Sequence, residues 1–144
     1  MIRVVADTDV LVAGFIGPSG SPADVLLEVH REGEFELVTS PRLIAELDGV
    51  LRRPAFVNQA EERRAAVFVD QLSASTLFVA DIYDPPRVTI DRTGDFLAAI
   101  ARTAGARYVI SGDESLRSSH VKDLTVLSAT EFVTALDRAE AMRA

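Results

Sequence analysis

The chain has no cysteine and no tryptophan, and only two tyrosines, two histidines and one lysine, Lys122. Each scarcity removes a class of function. Without cysteine there is no disulfide framework, no thiolate zinc site and no cysteine nucleophile. That composition suits a reducing, cytoplasmic setting. With only His30 and His120, a metal-free ribonuclease built on paired imidazoles is disfavoured. Both histidines read as surface residues. The few aromatics leave little area for base stacking. No apolar run approaches membrane-spanning length. Met1 leads straight into a strand-like run with no basic region before it, so no secretory leader is expected. Positive charge is also short: 15 Lys and Arg against 22 Asp and Glu give a net charge of -7. That weighs against general nucleic-acid binding, which is mostly electrostatic.

What is present is enough apolar material for a core. The 144 residues are 48% hydrophobic, which suits a single domain over residues 1–144. Apolar runs over Ile2–Ala6, Phe35–Thr39, Thr76–Ala80, Arg107–Ser111 and Leu124–Leu127 read as strands. Helices fall between them. Ser21-Pro22-Ala23-Asp24 has the cap, the first-position proline and the early acid of a helix start, and Gly33 ends that helix. Ser40-Pro41 repeats the pattern for a helix reaching Arg53, ahead of Pro54. A third helix is expected over Gln59–Leu72, with Val67, Phe68 and Leu72 facing inward. Thr93 caps a helix over Gly94–Ala104 that Gly105 closes. A short turn follows near residues 114–118, and Ser128-Ala129-Thr130-Glu131 is a capping box. Residues 14–20 and 81–90 read as loops. This alternation predicts a three-layer α/β fold, a central parallel sheet of about five strands flanked by helices.

Four acids stand where such a fold converges. Asp7 and Asp113 each follow a strand, and ligands of open α/β sheets bind beyond strand carboxyl ends. Asp95 lies in the first turn of a helix, a position the helix dipole favours in any protein. Glu46 and Asp48 flank the apolar face of their helix about equally, so periodicity does not choose between them. Crowded carboxylates call for a cation, and a hard divalent ion such as Mg²⁺ is the natural partner.

The ordered set Asp7-Thr8-Asp9, Glu46-Leu47, Asp95-Phe96-Leu97-Ala98-Ala99-Ile100-Ala101 and Val109-Ile110-Ser111-Gly112-Asp113 resembles the PIN-domain nucleases. The likeness is strongest to VapC-like toxins of prokaryotic toxin–antitoxin pairs. Gly33-Glu34-Phe35-Glu36-Leu37-Val38 and Leu51-Arg52-Arg53-Pro54 extend it. The resemblance implies a Mg²⁺- or Mn²⁺-dependent endoribonuclease with Asp7, Glu46, Asp95 and Asp113 as metal-binding catalytic acids. It selects Glu46 over Asp48. It also implies support from Ser111, a homodimer and a cognate antitoxin. Asp9 departs from the family's usual Asn and adds a charge that could bind metal. Asp91 is a supporting residue or a turn residue.

RNA contact would fall to arginines, of which Arg42, Arg52, Arg53, Arg92 and Arg117 are candidates. Fourteen arginines against one lysine suit bidentate phosphate contact, and equally reflect a GC-rich genome. Ala65-Ala66-Val67-Phe68-Val69 is too broad an apolar run for one helix face, which fits a symmetric partner or an antitoxin segment.

Two other readings compete. Asp7-Thr8-Asp9-Val10 and Gly112-Asp113 also fit a phosphatase of the haloacid dehalogenase type. That chemistry wants a lysine before the late acid, whereas Lys122 follows it. The other reading is a catalytically inactive PIN-like interaction module.

Overall fold

A computed structural model describes residues 1–54 and 59–143. β1 (Arg3–Ala6) enters the middle of the sheet, where Val4, Val5 and Ala6 are fully buried. A strand covered on both faces needs such a continuous apolar run. α1 (Thr8–Ile16) follows at once. This helix is not anticipated from the sequence, for two reasons. Its residues are apolar on nearly every side, so no 3.6-residue stripe stands out. Its cap residue, Asp7, makes no side-chain capping bond, because that carboxylate is engaged elsewhere.

The next elements follow their local signals. α2 (Pro22–Arg31) starts on Ser21, whose hydroxyl accepts from the Asp24 amide at 3.3 Å. β2 (Glu36–Thr39) leads into α3 (Pro41–Leu51), capped by Ser40 accepting from the Leu43 amide at 3.2 Å. α4 (Gln59–Ser75) packs on α3 and ends at β3 (Leu77–Phe78), which is only two residues long. α5 (Arg92–Ala104) ends on Gly105, whose φ of 68° is the left-handed cap that glycine adopts without strain. Then come β4 (Tyr108–Ile110), α6 (Glu114–Arg117), β5 (Thr125–Leu127) and α7 (Ala129–Arg143).

All four strand pairings are parallel, in the order β3-β2-β1-β4-β5. The chain builds outward from β1 to one edge and then returns to build outward from β4. The crevice between the carboxyl ends of β1 and β4 is therefore the switch point where α/β sheets bind ligands.

Three expectations need correction. The cap of α5 is Asp91, whose side chain accepts from the Gly94 amide at 3.0 Å, rather than Thr93. Val67 is 54% exposed, while Ala65, Phe68, Val69 and Leu72 form the inward face of α4. His30 is buried rather than superficial: its ring lies 5.7 Å from that of Phe35, near Ser75 at the end of α4. A polar residue near a helix end reads as solvated until its neighbours are known.

Candidate active site at the carboxyl end of the sheet

Asp7 is the first residue past β1, and its amide donates to the Ile110 carbonyl at 2.8 Å, which pins it beside the end of β4. Its carboxylate Oδ2 accepts from the Ser111 hydroxyl at 3.0 Å. That hydroxyl in turn accepts from the Asp113 amide at 3.0 Å. Ser111 thus ties the ends of two neighbouring strands together and fixes the Asp7 rotamer. Burial pushes the Asp7 carboxyl above its ordinary pKa. The Ser111 hydrogen bond pulls it back in part, and the nearby charges of Asp9 and Glu46 raise it further.

Glu46 reaches the same place from α3. The Thr8 hydroxyl donates to its Oε2 at 3.3 Å, and Arg42 Nε lies 3.3 Å from its Oε1. Asp7, Arg42, Glu46, Thr93 and Phe96 line a narrow crevice with about 10 Å³ open to a water-sized sphere. That is room for one water or one ion. Asp48 points elsewhere. It pairs with Arg52 at 3.0 Å and lines a separate depression between α3 and α4. The choice that periodicity left open is thus made by packing: Glu46 shares the crevice with Asp7, and Asp48 does not.

The other expected residues are distributed unevenly. Asp113 is exposed at the rim, where its Oδ1 accepts from the Ser115 amide at 2.9 Å. Asp9 is exposed beside Asp7. Asp91 serves the α5 cap.

Asp95 is 2% exposed, and its carboxylate is directed at the preceding loop. Its Oδ1 accepts from the Val88 and Thr89 amides, each at 2.8 Å, and from the Thr89 hydroxyl at 3.1 Å. Arg92 lies 3.1 Å from its Oδ2. Burial raises the Asp95 pKa, but these hydrogen bonds outweigh it and hold the carboxyl below its ordinary value. Glycine at position 94 lets Thr89 come this close, since a Cβ there would collide with the Thr89 hydroxyl. Among the described residues, no three His, Asp or Glu side chains are grouped closely enough to hold a metal on their own.

Of the candidate arginines, Arg42 and Arg92 flank the crevice. The Arg42 guanidinium sits 3.6 Å from the Phe96 ring centroid, and that of Arg92 sits 5.5 Å from it. Arg52 is committed to Asp48, Arg117 pairs with Glu131 at 3.4 Å, and Arg53 is exposed at the end of α3. Sequence reasoning placed none of Thr8, Thr93, Phe96 and Asp81 in the site. The Asp81 carboxylate accepts from the Arg42 amide at 2.8 Å, an acid at the start of α3. Only the hydroxyl between two acids at Thr8 was a visible cue.

A parallel sheet of order β3-β2-β1-β4-β5, with acids at its central switch point, defines an α/β protein with a polar site at the strand ends. The PIN domain family model matches residues 3–115, and the chain belongs to the PIN-domain family. PIN domains are generally nucleases. The fold is similar to that of the PAE2754 protein of Pyrobaculum aerophilum, with 18% identity over 92% of this chain and 88% of that one and a TM-score of 0.61. It is similar to VapBC2 from Rickettsia felis, solved with a DNA fragment from its promoter: 10% identity, coverage 87% and 97%, TM-score 0.59. It is also similar to FitAcB from Neisseria gonorrhoeae: 16% identity, coverage 88% and 98%, TM-score 0.58. No curated protein sequence matches the chain.

Proposed function

We propose that this PIN-domain protein is a divalent-metal-dependent endoribonuclease and the toxin of a toxin–antitoxin pair. One observation carries the reading. The Asp7 carboxylate is partly buried at the sheet's switch point, oriented by Ser111 and crowded by Asp9 and Glu46. Such an arrangement is costly without a cation and favourable with one. Mg²⁺ needs only one or two protein carboxylates, because it keeps waters and takes substrate phosphate oxygens. Asp7 and Glu46 fit that requirement, with Asp113 at the rim. When bound, the ion supplies Lewis acidity toward a water and the phosphoryl oxygens. Ser111 holds Asp7 in place, Thr8 holds Glu46, and Arg42 offers a guanidinium that a substrate phosphate can take over from Glu46.

The resemblance to VapC-like toxins, together with the fold shared with VapBC2 and FitAcB, supports an antitoxin partner. A homodimer is supported by the exposed flank of α4. Val67 there joins the stacked Phe15–Phe68 pair, whose centroids are 4.9 Å apart, in a groove of about 440 Å³ between α1, α2 and α4. The commitment of Asp95 to its own loop favours one competing reading, a PIN-like module without activity. A cleavage assay separates the two. The purified protein should cut single-stranded RNA with Mg²⁺ or Mn²⁺, lose activity in excess chelator, and lose it in Asp7→Asn. Cleavage that persists in chelator would sink the metal-dependent reading. A wild-type protein inert with both metals would favour the inactive module.

A further inference from the structure

The loop between β3 and α5 carries exposed apolar side chains at unusual density. Among the described residues nine large hydrophobics are exposed, and four of them, Phe78, Ile82, Tyr83 and Ile90, fall within positions 78–90. Singly such residues need no explanation, but a group does. Tyr83 is 98% exposed, so its ring packs against almost nothing.

The loop is nonetheless firmly held. Asp81 is bound to the Arg42 amide at 2.8 Å. Asp84 pairs with Arg92 at 2.7 Å, and the Pro85 carbonyl accepts from Arg92 at 3.0 Å. The Val88 and Thr89 amides are held by Asp95. Tyr83 therefore stands between two fixed points, one residue from Asp84 and two from Asp81. Each residue spans at most about 3.8 Å of chain between Cα atoms. Both anchoring arginines flank the acid crevice and both lie over the Phe96 ring that lines it. Asp84 is paired with Arg92 and Asp81 accepts from a backbone amide, whereas Arg87 is exposed with no ion-pair partner among the described residues.

We propose that Tyr83 is a base-stacking platform for single-stranded RNA, holding an unpaired base beside the phosphate presented to Asp7 and Glu46. The inference rests on the nuclease reading and adds to it the residue that recognises a base of the substrate. An aromatic ring on a preorganised loop stacks any base at low entropic cost, because every base has a π-face. Arg87 supplies a phosphate contact next to it. Bases in a duplex are stacked on one another and cannot reach such a ring. A protein surface could also cover the loop, but the unpaired arginine, beside a crevice whose acids suit a cation bridging to phosphate, favours a phosphate-bearing ligand.

With no tryptophan and only Tyr83 and Tyr108 as emitters, tyrosine fluorescence reports the contact directly. The Asp7→Asn protein is titrated with a short single-stranded RNA of mixed sequence and with the same RNA annealed to its complement. Tyr83→Ala and Tyr83→Phe are tested in the same background. The single strand should quench emission and bind more tightly than the duplex. Tyr83→Ala should abolish most of the quench and raise the Kd about ten-fold, while Tyr83→Phe keeps the affinity. In the active protein Tyr83→Ala should raise KM with kcat nearly unchanged. Undiminished RNA affinity in Tyr83→Ala overturns the proposal and leaves the loop to a protein partner. So does equal binding of the duplex. If Tyr83-dependent binding is seen but the wild-type protein cleaves no RNA, the platform stands and the nuclease reading fails. If RNA is cleaved with no dependence on Tyr83, the platform fails and the nuclease reading stands.

Discussion

Asp95 offers the sharpest test of how this site is built. Its carboxylate accepts from two backbone amides at 2.8 Å and from Arg92 at 3.1 Å, and the Thr89 hydroxyl, at 3.1 Å, is shared between it and the Asp91 carbonyl. A hydrogen bond to a charged group contributes about 1.5–3 kcal/mol, and each partly buried donor left without a partner costs about 1–3 kcal/mol. These contributions overlap, so Asp95→Ala should destabilise by about 3–4 kcal/mol rather than by their sum. Asp95→Asn keeps an acceptor oxygen for the two amides but sets an NH₂ group against Arg92, for a loss of about 2 kcal/mol. In a chain of this size 1 kcal/mol shifts Tm by roughly 2–4 °C. The Ala variant should therefore melt roughly 6–16 °C lower. The assay is thermal and urea unfolding followed by circular dichroism in excess chelator.

A metal ligand would behave oppositely, since removing one acid from a crowded cluster relieves repulsion and leaves the metal-free protein as stable or more so. The folded pKa of Asp95 is depressed, so the unfolded chain takes up its proton first as pH falls. Its stabilisation is present above the unfolded carboxylate value of about 3.9 and is lost as pH falls through the folded value. The gap between parent and variant should accordingly close in strong acid. An Asp95→Asn protein as stable as its parent in chelator, with weakened metal binding, would refute this account and return Asp95 to the metal.

Further outcomes follow from other parts of the molecule. Glu46→Gln should reduce RNA cleavage by about 100-fold or more, since outer-shell partners alone cost 10–100-fold; Asp48→Asn, which loses only the exposed pair with Arg52, should be nearly silent. The opposite ranking in a kinetic assay would mean that α3 presents its other flank. His30 is desolvated, which lowers its pKa, so the unfolded chain protonates first and stability should decline as pH falls below about 6.5. His30→Gln should flatten that slope in a pH series of melts. Light scattering at micromolar concentration should give about twice the chain mass, and Val67→Glu, a charge on the exposed flank of α4, should shift it toward the monomer. A parent protein that is already monomeric would assign that flank to another partner.

Strands and most helix starts were legible in the sequence because their causes are local. Ser21 and Ser40 before proline, the capping box at Ser128, and the apolar runs around Val4 and Val109 each act within a few residues. A regular alternation of such elements leaves a parallel sheet as the way to cover all the apolar faces. Once β1 and β4 are neighbours, Asp7 and Asp113 must emerge at the same end.

Tertiary structure decided what depends on partners distant in sequence. α1 forms although its residues show no stripe, because α2 and α3 pack on it and bury Thr8, Val10, Leu11 and Val12. Glu46 and Asp48 were equivalent on a helical wheel, and only the position of Thr8 and Arg42 in space separates them. His30 is buried because Phe35 and the end of α4 close over it. The aim of Asp95 was beyond any local rule. Its first-turn position is compatible with facing either the crevice or the loop, and the amides of Val88 and Thr89, admitted by Gly94, turn it to the loop.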